Sequence, residues 1–203
     1  MSTERAVIVL AAGKGTRFDA DGHKLGQRLG DLSVLATTLR HAVASQLAVV
    51  VVTTAPFADV ARSAVAARDV IVLPEVGSEG HVSLGMGYSI SAGVNARPHA
   101  DGWLVLPGDM PLVRPATLEA VAQQLDHHPI TYAQYKGRRG HPVGFAAELY
   151  SELVTLTGDE GARRLLARYP AFGVELDDPG ILVDIDTPAD LALLRDGDPS
   201  LAA

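Results

Sequence analysis

The residues between positions 8 and 24 combine the features of a site for a polyanion. A short apolar segment, Ile-Val-Leu-Ala-Ala, runs into Gly13 and Gly15, and two cationic side chains, Arg17 and Lys24, follow. Glycines let the backbone turn sharply with no side chain in the way, so that successive N–H groups can converge on an anion. The spacing of these glycines and cationic residues differs from that of the common phosphate loop and from G-x-G-x-x-G. The segment predicts a triphosphate site; the alternative is an ordinary strand-to-helix turn with solvated Arg and Lys side chains.

Two carboxylates that follow apolar segments are candidates for a metal site. Asp109 comes after a mostly apolar run, between Gly108 and Pro111. With these two neighbours, we expect the carboxylate to be held rigidly at the edge of the sheet. A hard ion such as Mg²⁺ prefers oxygen ligands, and Asp184 is a candidate second ligand. The alternatives are a turn-forming cap for Asp109 and a solvated strand end for Asp184. Thr187 or Asp186 is expected to cap the last helix.

Three further segments carry polar side chains that suit the nucleoside or a second, anionic substrate. Ser89 lies near the start of a predicted helix and can hydrogen-bond a base or ribose; the alternative is an internal helix hydroxyl. Arg139 and His141 lie in a cationic turn between two predicted strands, which is equally typical of a solvated hairpin. Arg163 follows Gly-Asp-Glu-Gly-Ala and can face an acidic ligand.

The elements that must position these side chains alternate along the chain. Apolar patterning predicts strands over 6–10, 48–53, 70–73, 102–106, 130–134, 143–145, 172–176 and 181–184, and helices over 33–45, 56–67, 85–94, 115–125, 146–156, 160–168 and 188–195. The first half therefore predicts an α/β fold with a mostly parallel sheet and helices on both faces, in which ligands bind beyond the carboxyl ends of the strands. We expect one domain over 1–196 and a disordered tail over 197–203.

Composition narrows the class of protein. The 203 residues carry 17 Lys and Arg against 24 Asp and Glu, giving a net charge of −7, and 47% are hydrophobic. Because no basic block is present, we expect no nucleic-acid partner, and no window is apolar for long enough to predict a membrane span. The sequence contains no cysteine, which excludes disulfides and thiolate metal sites. The N-terminus leads directly into the first predicted strand, so we expect no signal peptide and a cytoplasmic location.

Taken together, these motifs resemble the nucleotidyltransferases that activate a phosphorylated acceptor with an NTP. Within that superfamily the chain is most similar to the molybdenum cofactor cytidylyltransferases, through the glycine-rich loop, Gly-Asp-Met-Pro, Arg-Gly-His-Pro-Val, Gly-Asp-x-Gly-Ala-Arg and Asp-Thr-Pro-x-Asp. The resemblance implies a Rossmann-like three-layer sandwich of the nucleotide-diphospho-sugar transferase type. It also implies Mg²⁺ or Mn²⁺ as cofactor, and attack of a molybdopterin terminal phosphate on the α-phosphorus of CTP with release of pyrophosphate.

The resemblance also assigns roles by position. Arg17, Lys24 and Asp109 are the implied catalytic residues, and Asp109 with Asp184 the implied metal ligands. The implied nucleotide-binding residues are Leu10, Ala11, Ala12, Gly13, Lys14, Gly15, Arg17, Lys24 and Ser89. Those implied for the acceptor are Arg139, His141 and Arg163. A transient contact with a molybdoenzyme or its chaperone is a further implied partnership.

One segment departs from the family pattern. Between Arg17 and Lys24 the chain carries Phe-Asp-Ala-Asp-Gly-His, which is longer and more acidic than the usual spacing. The residues alone therefore leave three alternatives open: GTP instead of CTP, another phosphorylated acceptor such as a sugar phosphate or methylerythritol phosphate, and a non-catalytic nucleotide- or cofactor-binding chaperone.

Overall fold

The computed structural model describes residues 4–13, 22–74 and 85–195, and in these ranges a mixed sheet organises the chain. Seven of the described strands form it: β1 (Arg5–Ala11), β4 (Ala48–Thr54), β5 (Val70–Leu73), β6 (Gly102–Pro107), β7 (Ile130–Tyr135), β8 (Arg138–Ala146) and β9 (Ala171–Glu175). Their order is β5-β4-β1-β6-β8-β7-β9. The pairs from β5 to β6 are parallel, β8 runs antiparallel to both of its neighbours, and β9 is parallel to β7.

Helices cover both faces of this sheet, because strand residues alternate between two buried surfaces. On β1, Val7 and Val9 face one apolar cluster while Ala6 and Ile8 face the other. The first cluster packs against α1 (Val34–Ala44), α2 (Ala58–Ala64), α4 (Pro115–Gln123) and α7 (Pro188–Arg195), and the second against α3 (Gly85–Asn95), α5 (Tyr150–Leu153) and α6 (Arg163–Arg168). The predicted three-layer α/β sandwich with a mostly parallel sheet is thus confirmed.

Shorter elements complete the description. A two-stranded ribbon pairs β2 (Arg28–Leu29) with β3 (Leu32–Ser33), and single 3-10 turns occupy Lys24–Gly26, Ala55–Phe57, Ala67–Asp69, Gln124–Asp126, Ala147–Leu149 and Pro179–Leu182. The predicted helices over 56–67 and 146–156 each begin with such a turn and are shorter than expected. None of the helices in the described ranges is long and apolar enough to cross a membrane.

The strand predicted over 181–184 is wrong, since this apolar segment begins as a buried 3-10 turn. The Asp178 side chain caps the turn by accepting a hydrogen bond from the Gly180 N–H at 3.1 Å, and Pro179 opens it. A Cβ on Gly180 would lie 2.4 Å from the Leu112 carbonyl oxygen, so the chain packs closely against the loop after β6. Ile181 is fully buried by this packing rather than by a sheet.

The cationic turn predicted around residues 135–142 is a tight hairpin in the structure. Only Lys136 and Gly137 lie between β7 and β8, and both have positive φ, 48° and 74°. Two left-handed residues match the twist of the flanking strands. Strand β8 therefore begins at Arg138, five residues earlier than the predicted strand, and carries Arg139 and His141 along the sheet.

Candidate functional site

The loop that follows β6 is hydrogen-bonded to the end of β1 at the carboxyl edge of the sheet. The Gly108 N–H donates to the Leu10 carbonyl at 2.8 Å, and the Thr38 hydroxyl donates to the Gly108 carbonyl at 2.9 Å. A Cβ on Gly108 would lie 3.0 Å from the Leu10 oxygen, so glycine permits this close approach. The Ile185 N–H then donates to the Asp109 carbonyl at 3.0 Å. The end of β1, the loop that carries Asp109 and the segment that carries Asp184 thus meet at one place.

Lys24 lies between two carboxylates at this meeting point. Its Nζ is 2.5 Å from Asp109 Oδ2 and 2.7 Å from Asp186 Oδ1. The side chains of Lys24 and Asp109 are only 16% and 15% exposed. Burial opposes the charged form of Lys24, but the two carboxylates outweigh burial, so the pKa of Lys24 lies above its ordinary value of 10.5. The lysine therefore stays protonated and fixed inside the protein.

Asp109 retains an unsatisfied oxygen that suits a metal ion. Its Oδ1 is buried and has no hydrogen-bond partner among the residues that the structure describes. A buried carboxylate oxygen without a partner is costly unless a ligand supplies one. Within the described ranges no group of three or more His, Asp or Glu side chains is arranged to hold a metal. Mg²⁺ does not need such a cage, because it is commonly held by one or two carboxylates together with substrate phosphates.

Asp184 and Asp186 approach the same point from the segment after the 3-10 turn. Partial desolvation, reinforced by the charges of Asp186 and Asp109, raises the pKa of Asp184 above 3.8. The sequence predicted Thr187 or Asp186 as the cap of the last helix, and Thr187 forms it: its hydroxyl accepts from the Asp190 N–H at 3.2 Å, while the Asp190 carboxylate accepts from the Thr187 N–H at 2.7 Å. Asp186 instead contacts Lys24, and it is therefore a site residue that the sequence did not predict.

These groups lie in a cleft of about 990 Å³. The sequence-predicted residues that line it are Leu10, Ala12, Gly13, Lys24, Ser89, Asp109, Arg139, His141 and Asp184. Ala11 is buried in the core beneath it. Arg163 is exposed at the start of α6 and is not one of the lining residues, whereas Asp159 from the preceding loop is. Lys14, Gly15 and Arg17 lie outside the described residues.

Strand β8 lines one wall of the cleft with cationic and neutral nitrogen groups. Arg138, Arg139 and His141 all line the cleft, and the Arg139 guanidinium lies 4.7 Å from the centre of the Tyr132 ring. Burial lowers the pKa of His141 below 6.5; the Asp109 carboxylate opposes this shift and Arg139 adds to it. His141 is therefore an uncharged imidazole at neutral pH, on the same strand as Arg138 and Arg139.

The start of α3 is held in place by the loop that contains the Gly-Asp-x-Gly-Ala-Arg sequence. The Gly87 N–H donates to the Gly158 carbonyl at 2.8 Å. A Cβ on Gly85 would lie 2.2 Å from the carbonyl carbon of Gly158, so only glycine fits there. Ser89 follows within the first turn and a half of this helix and lines the cleft. The loop thus fixes the position from which Ser89 faces the cleft.

The chain is similar in sequence to known proteins. The chain is 34% identical over 129 residues to the bifunctional protein GlmU of Alkalilimnicola ehrlichii, a match that covers 62% of this chain and 26% of GlmU. It is 34% identical over 116 residues to the purine catabolism protein PucB of Bacillus subtilis, covering 55% of this chain and 56% of PucB. The matches thus span a quarter to a little over half of these relatives.

A solved structure of Rv0371c from Mycobacterium tuberculosis in complex with manganese superposes with a TM-score of 0.75 at 27% identity, covering 97% of this chain and all of Rv0371c. A divalent cation is therefore bound by a similar protein. A family model, the MobA-like NTP transferase domain, matches residues 7–172. The chain is a nucleotidyltransferase that belongs to the MobA-like NTP transferase domain family.

Proposed function

We propose that the chain transfers CMP from CTP to the terminal phosphate of molybdopterin and releases pyrophosphate. The observation that carries the proposal is the contact between Lys24 and Asp109, at 2.5 Å, inside a cleft that is also lined by Gly13 of the glycine-rich loop and by Arg139 and His141 of the Arg-Gly-His-Pro strand. A cation that can bind phosphates and a carboxylate that can hold a metal therefore lie side by side in this cleft.

Each group has a role in this proposal. Lys24 binds the triphosphate, and Arg17 brings a second positive charge. The N–H groups of the loop near Gly13 orient the phosphates, because charge neutralisation and positioning dominate the catalysis of such transfers. Asp109 and Asp184 would hold the divalent cation, to which Asp109 Oδ1 offers its unused lone pairs. A bound Mg²⁺ or Mn²⁺ would supply further neutralisation of negative charge on the phosphates.

The acceptor side of the cleft needs no general base. A phosphate monoester is already ionised at neutral pH and is itself the nucleophile. Arg139 attracts such a group, and the uncharged His141 imidazole can hydrogen-bond it or the pterin without adding charge. Arg163 remains a proposed acceptor residue from the motif alone. The choice of molybdopterin rests on the resemblance of the Arg-Gly-His-Pro and Gly-Asp-x-Gly-Ala-Arg segments, which line or brace this cleft.

The proposal is tested by a matrix of nucleotides and acceptors. CTP, GTP, ATP and UTP are each combined with molybdopterin, a sugar phosphate or methylerythritol phosphate in the presence of Mg²⁺, and pyrophosphate release is measured. We expect turnover with CTP and molybdopterin. Preference for GTP or for another acceptor would overturn the substrate assignment, and tight CTP binding without product would favour the chaperone alternative.

Two variants link turnover to the site. Asp109→Ala and Lys24→Ala are each expected to abolish pyrophosphate release while the fold is retained. Asp59→Ala is the matched control, because the Asp59 side chain is 98% exposed on α2 and does not line the cleft. Near-normal turnover in either site variant would contradict the assignment of the cleft as the active site.

A further inference from the structure

We infer that His23 is a positioning residue for Lys24, a role that rests on the proposed nucleotide site. His23 lies directly before the 3-10 turn Lys24–Gly26 and forms its N-terminal cap. Its ring Nδ1 accepts a hydrogen bond from the Leu25 N–H at 3.2 Å. The cap fixes the first residue of the turn, and that residue is Lys24.

The other ring nitrogen of His23 reaches the glycine-rich loop. Nε2 lies 2.8 Å from the Gly13 carbonyl oxygen, ten residues earlier in the chain. A carbonyl oxygen can only accept, so Nε2 must carry a hydrogen. Since Nδ1 accepts from the Leu25 N–H, it carries none, and the two bonds together require the neutral Nε2–H tautomer. One imidazole thereby ties the end of β1 to the turn that carries Lys24.

A third contact fixes the plane of the imidazole. The His23 ring packs against the Phe57 ring with their centres 4.7 Å apart and their planes tilted by 60°. Phe57 ends the 3-10 turn that follows β4 and is itself buried. The ring is therefore held from three directions, by Gly13, by Leu25 and by Phe57. Rotation of the ring would break at least one of these contacts.

These contacts matter because the Lys24 ammonium is placed within narrow limits. Its Nζ lies at hydrogen-bond distance from both Asp109 and Asp186. A lysine side chain has several rotatable bonds, so a fixed Cα is a condition for holding Nζ at one point. His23 supplies that fixed Cα and also sets the distance between Lys24 and the Gly13 end of the loop. It acts through Lys24 and takes no part in bond making.

A double-mutant cycle of His23→Ala and Lys24→Met tests this coupling in two ways. The first readout is the melting temperature in metal-free buffer, which needs no substrate. We expect His23→Ala to lower Tm by about 5 °C in the wild-type background and by less than half as much with Lys24→Met, since groups in one network are not additive. Equal losses in both backgrounds would overturn the inference even if the protein turns over no nucleotide.

The second readout is the affinity for CTP with Mg²⁺, measured by calorimetry. We expect His23→Ala to weaken binding more than about tenfold in the wild-type background and less than about threefold with Lys24→Met. An equal loss in both backgrounds would contradict a role through Lys24. If the wild-type protein bound no CTP, the proposed function would fail while the melting-temperature cycle would still decide the role of His23.

Two substitutions separate positioning from simple packing. His23→Asn keeps a side-chain acceptor at the cap and is expected to recover part of the CTP affinity lost in His23→Ala. His23→Phe keeps a ring against Phe57 but removes both hydrogen bonds, and is expected to bind CTP as weakly as His23→Ala. Wild-type affinity in His23→Phe would overturn the inference. His99→Ala, at an exposed position away from the cleft, is the control and should leave both readouts unchanged.

Discussion

Replacing Lys24 by methionine removes the positive charge between two carboxylates and retains most of the side-chain volume. In the wild-type protein, the Lys24 Nζ donates to Asp109 and to Asp186 at 2.5 and 2.7 Å. Without it, two negative side chains face each other, close to the charge of Asp184. We expect the variant to fold but to be substantially less stable in metal-free buffer at neutral pH.

The magnitude follows from the two contacts. A hydrogen bond to a charged group contributes about 1.5–3 kcal/mol, so two such bonds give an upper limit of about 6 kcal/mol. The Asp186 side chain is 33% exposed, so water screens part of its interaction and can solvate the carboxylate in the variant. We therefore expect a loss of about 2–4 kcal/mol in the free energy of unfolding. For a domain of this size the corresponding decrease in Tm is about 6–12 °C.

The pH dependence of the loss provides a second signature. The pKa of Lys24 is raised above 10.5 in the folded protein. Its contribution to the free energy of unfolding is therefore fully present below pH 10.5 and is lost only as the pH rises through the pKa of the folded state. The difference in Tm between wild type and Lys24→Met should thus be constant from pH 7 to 9. It should shrink in acid, where the carboxylates become protonated.

Thermal unfolding with and without Mn²⁺ is the assay. Mn²⁺ can replace the missing counter-charge, so it should raise the Tm of Lys24→Met more than that of the wild type. Lys136→Met is the matched control on the exposed β7–β8 hairpin and should change Tm by less than about 1 °C. Wild-type stability of Lys24→Met in metal-free buffer would refute this account of the site.

Further predictions concern the rest of the cleft. Because the pKa of Asp184 is raised above 3.8, its ionisation penalises the folded state, and stability falls as the pH rises through the acid range. Asp184→Asn should remove that fall, raise Tm slightly at pH 7 and weaken Mn²⁺ binding, which thermal unfolding and calorimetry measure. The lowered pKa of His141 has the opposite consequence, because the stability that it contributes above pH 6.5 is lost as the pH falls below that value. In urea unfolding, His141→Gln should therefore lose less stability between neutral and acid pH than the wild type. Gly140→Ala would place a Cβ 2.2 Å from the Ile181 carbonyl oxygen, so urea unfolding should show a loss of about 2–3 kcal/mol, with lower turnover because the segment carrying Asp184 is displaced. Gly137→Ala, in open space at positive φ, should cost about 1 kcal/mol and leave turnover unchanged.

The sheet and the position of Asp109 could be predicted because they follow from local pattern. Continuous apolar runs such as 102–106 indicate parallel strands that are buried on both faces, and polar residues after such runs must lie at the carboxyl edge. Gly13 and Asp109 follow neighbouring strands, β1 and β6, so their proximity required only the strand order. The family motifs located the same two segments.

The contact between Asp186 and Lys24 could not be predicted in the same way. The residues of Asp-Ile-Asp-Thr-Pro have a sufficient explanation as a strand end and a helix cap. Their actual position depends on the buried 3-10 turn Pro179–Leu182, which is selected by tertiary contacts of Gly140 and Gly180 rather than by periodicity. An apolar run of four residues has the same pattern in a strand and in a buried turn.

The role that we infer for His23 could not be predicted from the sequence either. A single histidine before a lysine has no spacing that indicates a cap or a tautomer. Its significance comes from the approach of Gly13 across ten residues and from the Phe57 ring behind it. Local spacing predicts which side chains follow a strand, but not the path by which a longer connection returns to it.

Labelled phosphorus follows nucleotidyl transfer at the Lys24–Asp109 site step by step. CTP labelled at the α- or the γ-phosphate is incubated with molybdopterin and Mg²⁺, and the labelled products are separated. We expect the α-label to move to the acceptor and the γ-label to leave in pyrophosphate, with neither product formed by Asp109→Ala. Appearance of the γ-label on the acceptor, or wild-type transfer of the α-label by Asp109→Ala, would contradict nucleotidyl transfer at this site.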